Sequence, residues 1–83
     1  MSTRQVVIEV PEKVLLAASS DEADFARILR TSAAVKMYEM GRLSSGRAAE
    51  LAGMSRVEFL LALKQYRVFP LEAELRDLKL QHA

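Results

Sequence analysis

The chain reads as a mainly α protein: a short N-terminal strand, then a small helical domain holding a helix-turn-helix-like unit, then a C-terminal amphipathic helix. Three observations predict this. Val6-Val7-Ile8-Glu9-Val10 is the one run rich enough in β-branched residues to read as a strand. Gly41 and Gly53 follow apolar-periodic stretches, where helices stop. Ser55-Arg56-Val57-Glu58 has the spacing of a capping box that opens a new helix.

The strand comes first. Val6, Ile8 and Val10 fall on one face, and Gln5, Val7 and Glu9 on the other. A lone strand cannot satisfy its own backbone groups. Its partner is the same strand of a second subunit or the edge of another protein; pairing with the piece around Val68-Phe69 is the alternative.

Pro11 suits the first position of a short helix over Pro11–Ala17, since it has no N–H to leave unpaired. Ser19 and Glu22 have capping-box spacing, and a longer helix follows from about Asp21 to Met40. Its apolar residues are Phe25, Ile28, Leu29, Ala33, Val35, Met37 and Met40, spread over a broad face. Lys36 falls near the middle of that face. It either reaches a partner or makes an ion pair inside the fold, with Glu50 as the candidate; the internal pair is favoured.

Leu43 to Arg67 is the most informative stretch. Ser44 or Ser45 caps a helix, with Leu43 placed to staple onto Ala48. Gly53 stops it. Met54 and Phe59 form a second staple across the next cap, and the second helix runs to about Arg67. Ala49 lies four residues before Gly53 and lets the two helices approach closely. Two helices joined by a glycine-containing turn make a helix-turn-helix-like unit. At 100° per residue, Phe59, Ala62, Leu63 and Tyr66 point inward, while Arg56, Val57, Leu60, Leu61 and Lys64 point outward.

Charge and apolarity give that outward face two readings. From Gly41 to Arg67 there are five basic residues against two acidic ones, a local net charge of +3. The DNA-binding candidates are therefore Arg42, Arg47, Ser55, Arg56 and Lys64. Outward Val57, Leu60 and Leu61 instead read as a protein interface. With Val6 and Ile8 of the strand, and Leu71, Leu75 and Leu78 of the C-terminal segment, they are the candidates for partner or dimer contacts. The domain thus spans residues 1–69. Residues 70–83 form an amphipathic segment that either folds back on the core or docks in a partner's groove.

Other classes are disfavoured. The 83 residues leave room for one domain, with a core small enough that oligomerisation or docking is expected to add burial. There is no cysteine, and His82 is the single histidine, so neither a disulfide nor a metal site is expected. No nucleophile–base pair or phosphate-cradling glycine loop is apparent, so no catalytic residue, cofactor or small-molecule substrate is expected. The N-terminus lacks the pattern of a signal peptide, and no stretch is long enough to span a membrane, so a cytoplasmic location is expected.

The runs Val35-Lys36-Met37-Tyr38-Glu39, Gly41-Arg42-Leu43-Ser44, Gly46 to Ser55 and Glu58-Phe59-Leu60, after a strand ending in Val10-Pro11-Glu12, resemble uncharacterised protein family 0175. The resemblance covers about the first 69 residues and is most specific from Tyr38 to Phe59. It implies a small prokaryotic helix-turn-helix antitoxin of a type II toxin–antitoxin pair. Such a protein neutralises a toxin, often a PIN-like ribonuclease, by direct binding, and it can repress its own operon as a homodimer. A protein-interaction adaptor or a stand-alone small transcriptional regulator is the alternative. The resemblance transfers no catalytic residue.

Overall fold

The computed structural model describes residues 2–19 and 21–68. They are mainly helical: α1 (Glu12–Ala18), α2 (Glu22–Glu39), α3 (Ser45–Ala52) and α4 (Arg56–Ala62), with a 3-10 turn over Leu63–Tyr66. Residues 2–10 belong to no helix or strand, so the strand expected over Val6–Val10 is not formed within one chain. The physical reason is the one that makes any lone strand unstable: its N–H and C=O groups need a neighbouring strand. Val68 does not supply it. Its N–H donates to the Leu63 carbonyl at 3.2 Å, and its side chain is buried in the core. Leu71, Leu75 and Leu78 lie outside the described residues, as does Phe69.

Helix boundaries follow local chemistry. Pro11 is the N-cap of α1 rather than its first residue. Asp21 caps α2, accepting the Asp24 N–H at 2.7 Å. The expected Ser19–Glu22 box is absent, because Ser19 donates its hydroxyl to the Asp24 carboxylate at 2.7 Å instead. At its far end α2 stops on Gly41, whose φ of 76° is left-handed. There Arg42 N–H reaches the Met37 carbonyl and Gly41 N–H that of Tyr38. This crossed pair is a Schellman stop, and it satisfies two carbonyls that would otherwise be orphaned.

Among the described residues the hydrophobic core is drawn from the segment 34–68. Phe59 and Leu63 are its largest fully buried side chains, packed with Ala34, Val35, Ala48, Ala49, Leu60 and Val68. Tyr38 meets Phe59 edge to face, with ring centroids 5.7 Å apart and planes at 85°. Such a contact adds about 0.5–1.5 kcal/mol beyond area burial. Ala34 on α2 and Ala48 and Ala49 on α3 are buried in the same cluster, small side chains that let these contacting helices approach closely.

The buried stripe of α2 is Thr31, Ala34 and Val35, with Tyr38 partly buried one turn on. This is helical spacing, but shifted from the broad apolar face read from the sequence: Leu29, Met37 and Met40 are exposed. Thr31 tolerates burial because its hydroxyl donates to the Arg27 carbonyl at 3.0 Å. Lys36 consequently lies off the buried stripe. It pairs with Glu39 at 2.8 Å on the surface, while Glu50 pairs with Arg47 at 3.1 Å, so the expected Lys36–Glu50 pair is corrected.

Candidate interaction surface

The stretch from Leu43 to Val68 is built from two capped starts, at Ser44 and Ser55, and two left-handed stops, at Gly53 and Arg67. Ser44 caps α3 by accepting the Arg47 N–H at 3.2 Å. Leu43 precedes that cap and packs against the core, as a staple residue should. Helix α3 ends on Gly53, φ 74°, with Met54 N–H on the Ala49 carbonyl at 2.9 Å and Gly53 N–H on that of Glu50 at 3.2 Å. This is a second Schellman stop. Ser55 then opens α4 with a complete capping box: its hydroxyl accepts the Glu58 N–H at 3.1 Å, and Glu58 accepts the Ser55 N–H at 3.0 Å. The Ser55 backbone N–H, donated to the Glu58 carboxyl, holds that carboxyl below its ordinary pKa, with the Ser55 side chain acting in the same direction. The turn between α3 and α4 is thus three residues long, Gly53-Met54-Ser55.

The stop at Arg67 is less conventional. Arg67 takes the left-handed conformation at φ 57°. Its N–H reaches the Lys64 carbonyl, and Val68 N–H reaches that of Leu63. Leu63 and Val68, both buried, supply the apolar contact that accompanies such a stop.

Two side-chain bonds fix α3 against its neighbours. Arg56, on the first turn of α4, donates from Nε to the hydroxyl of Ser45 at 2.9 Å. Arg30, on α2, donates from Nε to the Leu51 carbonyl at 2.9 Å near the C-terminus of α3. No sequence pattern marks Arg30, since a side chain reaching a backbone carbonyl 21 residues away has no local signature.

The candidate residues divide accordingly. Arg42, Arg47 and Lys64 are exposed. Arg47 shares its charge with Glu50 one turn on. Ser55 and Arg56 are already engaged by the capping box and by Ser45. On α4, Leu61 is 60% exposed and Val57 half-buried. Leu60 is 3% exposed, so its outward placement is corrected. The inward arc of α4 centres between Phe59 and Leu60 rather than on Phe59. Tyr66, placed inward by the same projection, is 39% exposed, because the tighter 3-10 turn after Ala62 changes the phase. At the other end, Val6 and Ile8 are exposed beside α2. Among the described residues no cluster of histidine and carboxylate side chains is arranged to hold a metal.

The profile of the uncharacterised protein family UPF0175 matches residues 1–80. The chain belongs to this family. One relative, the UPF0175 protein of Aeropyrum pernix, is 34% identical over 79 residues, which is 95% of this chain and 83% of the relative. No solved structure matches. The UPF0175 match extends beyond Phe69, so the C-terminal segment belongs to the family's pattern along with the helical domain. No described helix of this UPF0175 chain is long and apolar enough to cross a membrane.

Proposed function

We propose that this protein is the antitoxin of a type II toxin–antitoxin pair, acting by direct binding to a toxin protein in the cytoplasm. A PIN-like ribonuclease is the toxin class the family resemblance implies. The protein is not an enzyme in this reading. The observation that carries it is the unit α3–turn–α4, whose outer side presents apolar Leu61 beside half-buried Val57. Exposed leucine on a short, rigidly capped helix favours a protein partner, since its burial contributes about 1.5–3 kcal/mol.

Repression of its own operon through the same unit is the second part of the proposal. Arg42, Arg47 and Lys64 supply exposed positive charge for phosphates. Base reading is less favoured, because Ser55 and Arg56, at the start of α4, are held by bonds within the fold.

The test is recovery of the tagged full-length protein from extract of its native host, with bound proteins identified by mass spectrometry. A small ribonuclease in stoichiometric amount is the expected result. Recovery of DNA with no protein would replace the proposal with a stand-alone regulator.

A further inference from the structure

Residues 4–10 form the most exposed apolar run among the described residues. Val6, Val7 and Ile8 are 80%, 85% and 62% exposed, although all three are of the type that favours a pleated sheet. No backbone hydrogen bond joins this run to another described residue. Its side chains nevertheless alternate. Val6, Ile8 and Val10 line a cleft of about 470 Å³ against Phe25 and Leu29 of α2, and Val7 and Glu9 do not. A run with strand-like alternation and unmet N–H and C=O groups is an edge that another strand can complete.

We infer that residues 4–10 pair antiparallel with the same residues of a second copy, about a two-fold axis through Val7. The register follows from self-complementarity. In such a ribbon, opposed residues point to the same face, so the axis must pass through a residue position. With the axis at Val7, Val7 meets Val7, Val6 meets Ile8, and Gln5 meets Glu9, where an amide can donate to a carboxylate. Apolar residues oppose apolar ones at the centre, a polar pair flanks them, and Arg4 meets Val10 only at the outer end of the run. With the axis at Val6, Gln5 faces Val7 and Arg4 faces Ile8. With it at Ile8, Val7 faces Glu9 and Gln5 faces Pro11, which has no N–H to give. The Val7 register also opposes no like charges. Its Val6, Ile8 and Val10 face lies toward α2 in each copy, over the apolar cleft. This inference does not depend on the proposed function.

The full chain has no cysteine, so single cysteines report the register directly. Across an antiparallel pair, directly opposed Cα atoms lie about 4.5–5.5 Å apart, within disulfide reach. Val7→Cys should therefore give a covalent dimer under mild oxidation. Val6→Cys and Ile8→Cys, each a diagonal about 7–8 Å from its own copy, should stay monomeric on gels under the same conditions. Mixing the Val6→Cys and Ile8→Cys proteins should restore the cross-link. Helical circular dichroism should not change, because residues 4–10 are not part of the core cluster. Ile8→Lys in the full chain should weaken the dimer at least about ten-fold by sedimentation. A monomeric wild-type protein, a dimer that does not cross-link at Val7, or equal cross-linking at all three positions would overturn the inference.

Discussion

The Nε of Arg56 lies 2.9 Å from the hydroxyl of Ser45, tying the first turn of α4 to the first turn of α3. Ser45 is 3% exposed, so one end of this bond is shielded from water. Arg56 therefore positions the two helices. Replacing Arg56 or Ser45 with alanine should each lower stability by about 1–2 kcal/mol, and the double variant should cost less than the sum. Urea unfolding of the four proteins of this cycle measures the coupling. Strict additivity would mean that the bond contributes nothing.

The left-handed Arg67 offers a stabilising substitution. A side chain in that conformation costs about 1–2 kcal/mol relative to glycine, partly offset by glycine's greater freedom when unfolded. Arg67→Gly should raise the unfolding midpoint, by about 0.5–1 kcal/mol in stability. Gly53→Ala, at φ 74°, should lower stability by about 1 kcal/mol. Thermal unfolding of both variants checks the two signs together.

Leu60 and Leu61 are adjacent but should respond oppositely. Leu60→Ala removes core volume and should cost about 2–5 kcal/mol. Leu61→Ser alters an exposed side chain and should change stability by no more than about 0.5 kcal/mol. On the proposed function, Leu61→Ser should still weaken capture of the toxin. Unfolding curves and the same host-extract pull-down separate the two effects.

The Glu58 carboxyl, held low by its hydrogen bonds with Ser55, gives a pH signature. A depressed carboxyl contributes stability above its unfolded pKa and loses that contribution as pH falls through the lower folded value. The Asp24 carboxyl, held low by the Ser19 hydroxyl and by Arg27, acts in the same direction. Stability should therefore decline on the acid side of the ordinary carboxylate range. Glu58→Gln should flatten that decline, and carbon-detected NMR should show Glu58 titrating below a free glutamate.

If the protein binds operator DNA through exposed cations, Arg47→Ala with Lys64→Ala should weaken binding to every sequence alike. It should also reduce the salt slope by about 2, since each phosphate contact releases about one counterion. Fluorescence anisotropy across a salt series measures this. Leaving Arg56 intact avoids confusing lost contacts with loosened helix packing.

The legible parts of the sequence were those with local signatures. Ser44, Gly53, Ser55 and Glu58 announced α3, the turn and α4, because caps and left-handed stops depend on residues within one or two turns. Tertiary choices were harder to read. Leu60 and Leu61 are alike in chemistry, and which of them is buried depends on where α2 and α3 lie. Thr31 carries no apolar signal in the sequence, and its burial rests on the hydroxyl bond to the Arg27 carbonyl one turn back. Lys36 escapes the sequence pattern because a broad apolar face does not reveal which stripe a neighbour covers. The run at Val6–Val10 has the composition of a strand, but composition does not supply the second strand.

The placement of the core has a consequence for how long the protein survives. Helix α1 has no buried residue, and the buried residues of α2 begin only at Thr31. Opening of the first helix therefore disturbs little of what holds residues 31–68 together. Its amide hydrogens should exchange far faster than those around Phe59, through local fluctuation rather than global unfolding. A protease that engages an unfolded initiation site can take the chain here during such openings, without waiting for the core to melt. Proteolysis of the free chain should then follow the opening of its first helix, and a contact that orders this segment should slow it.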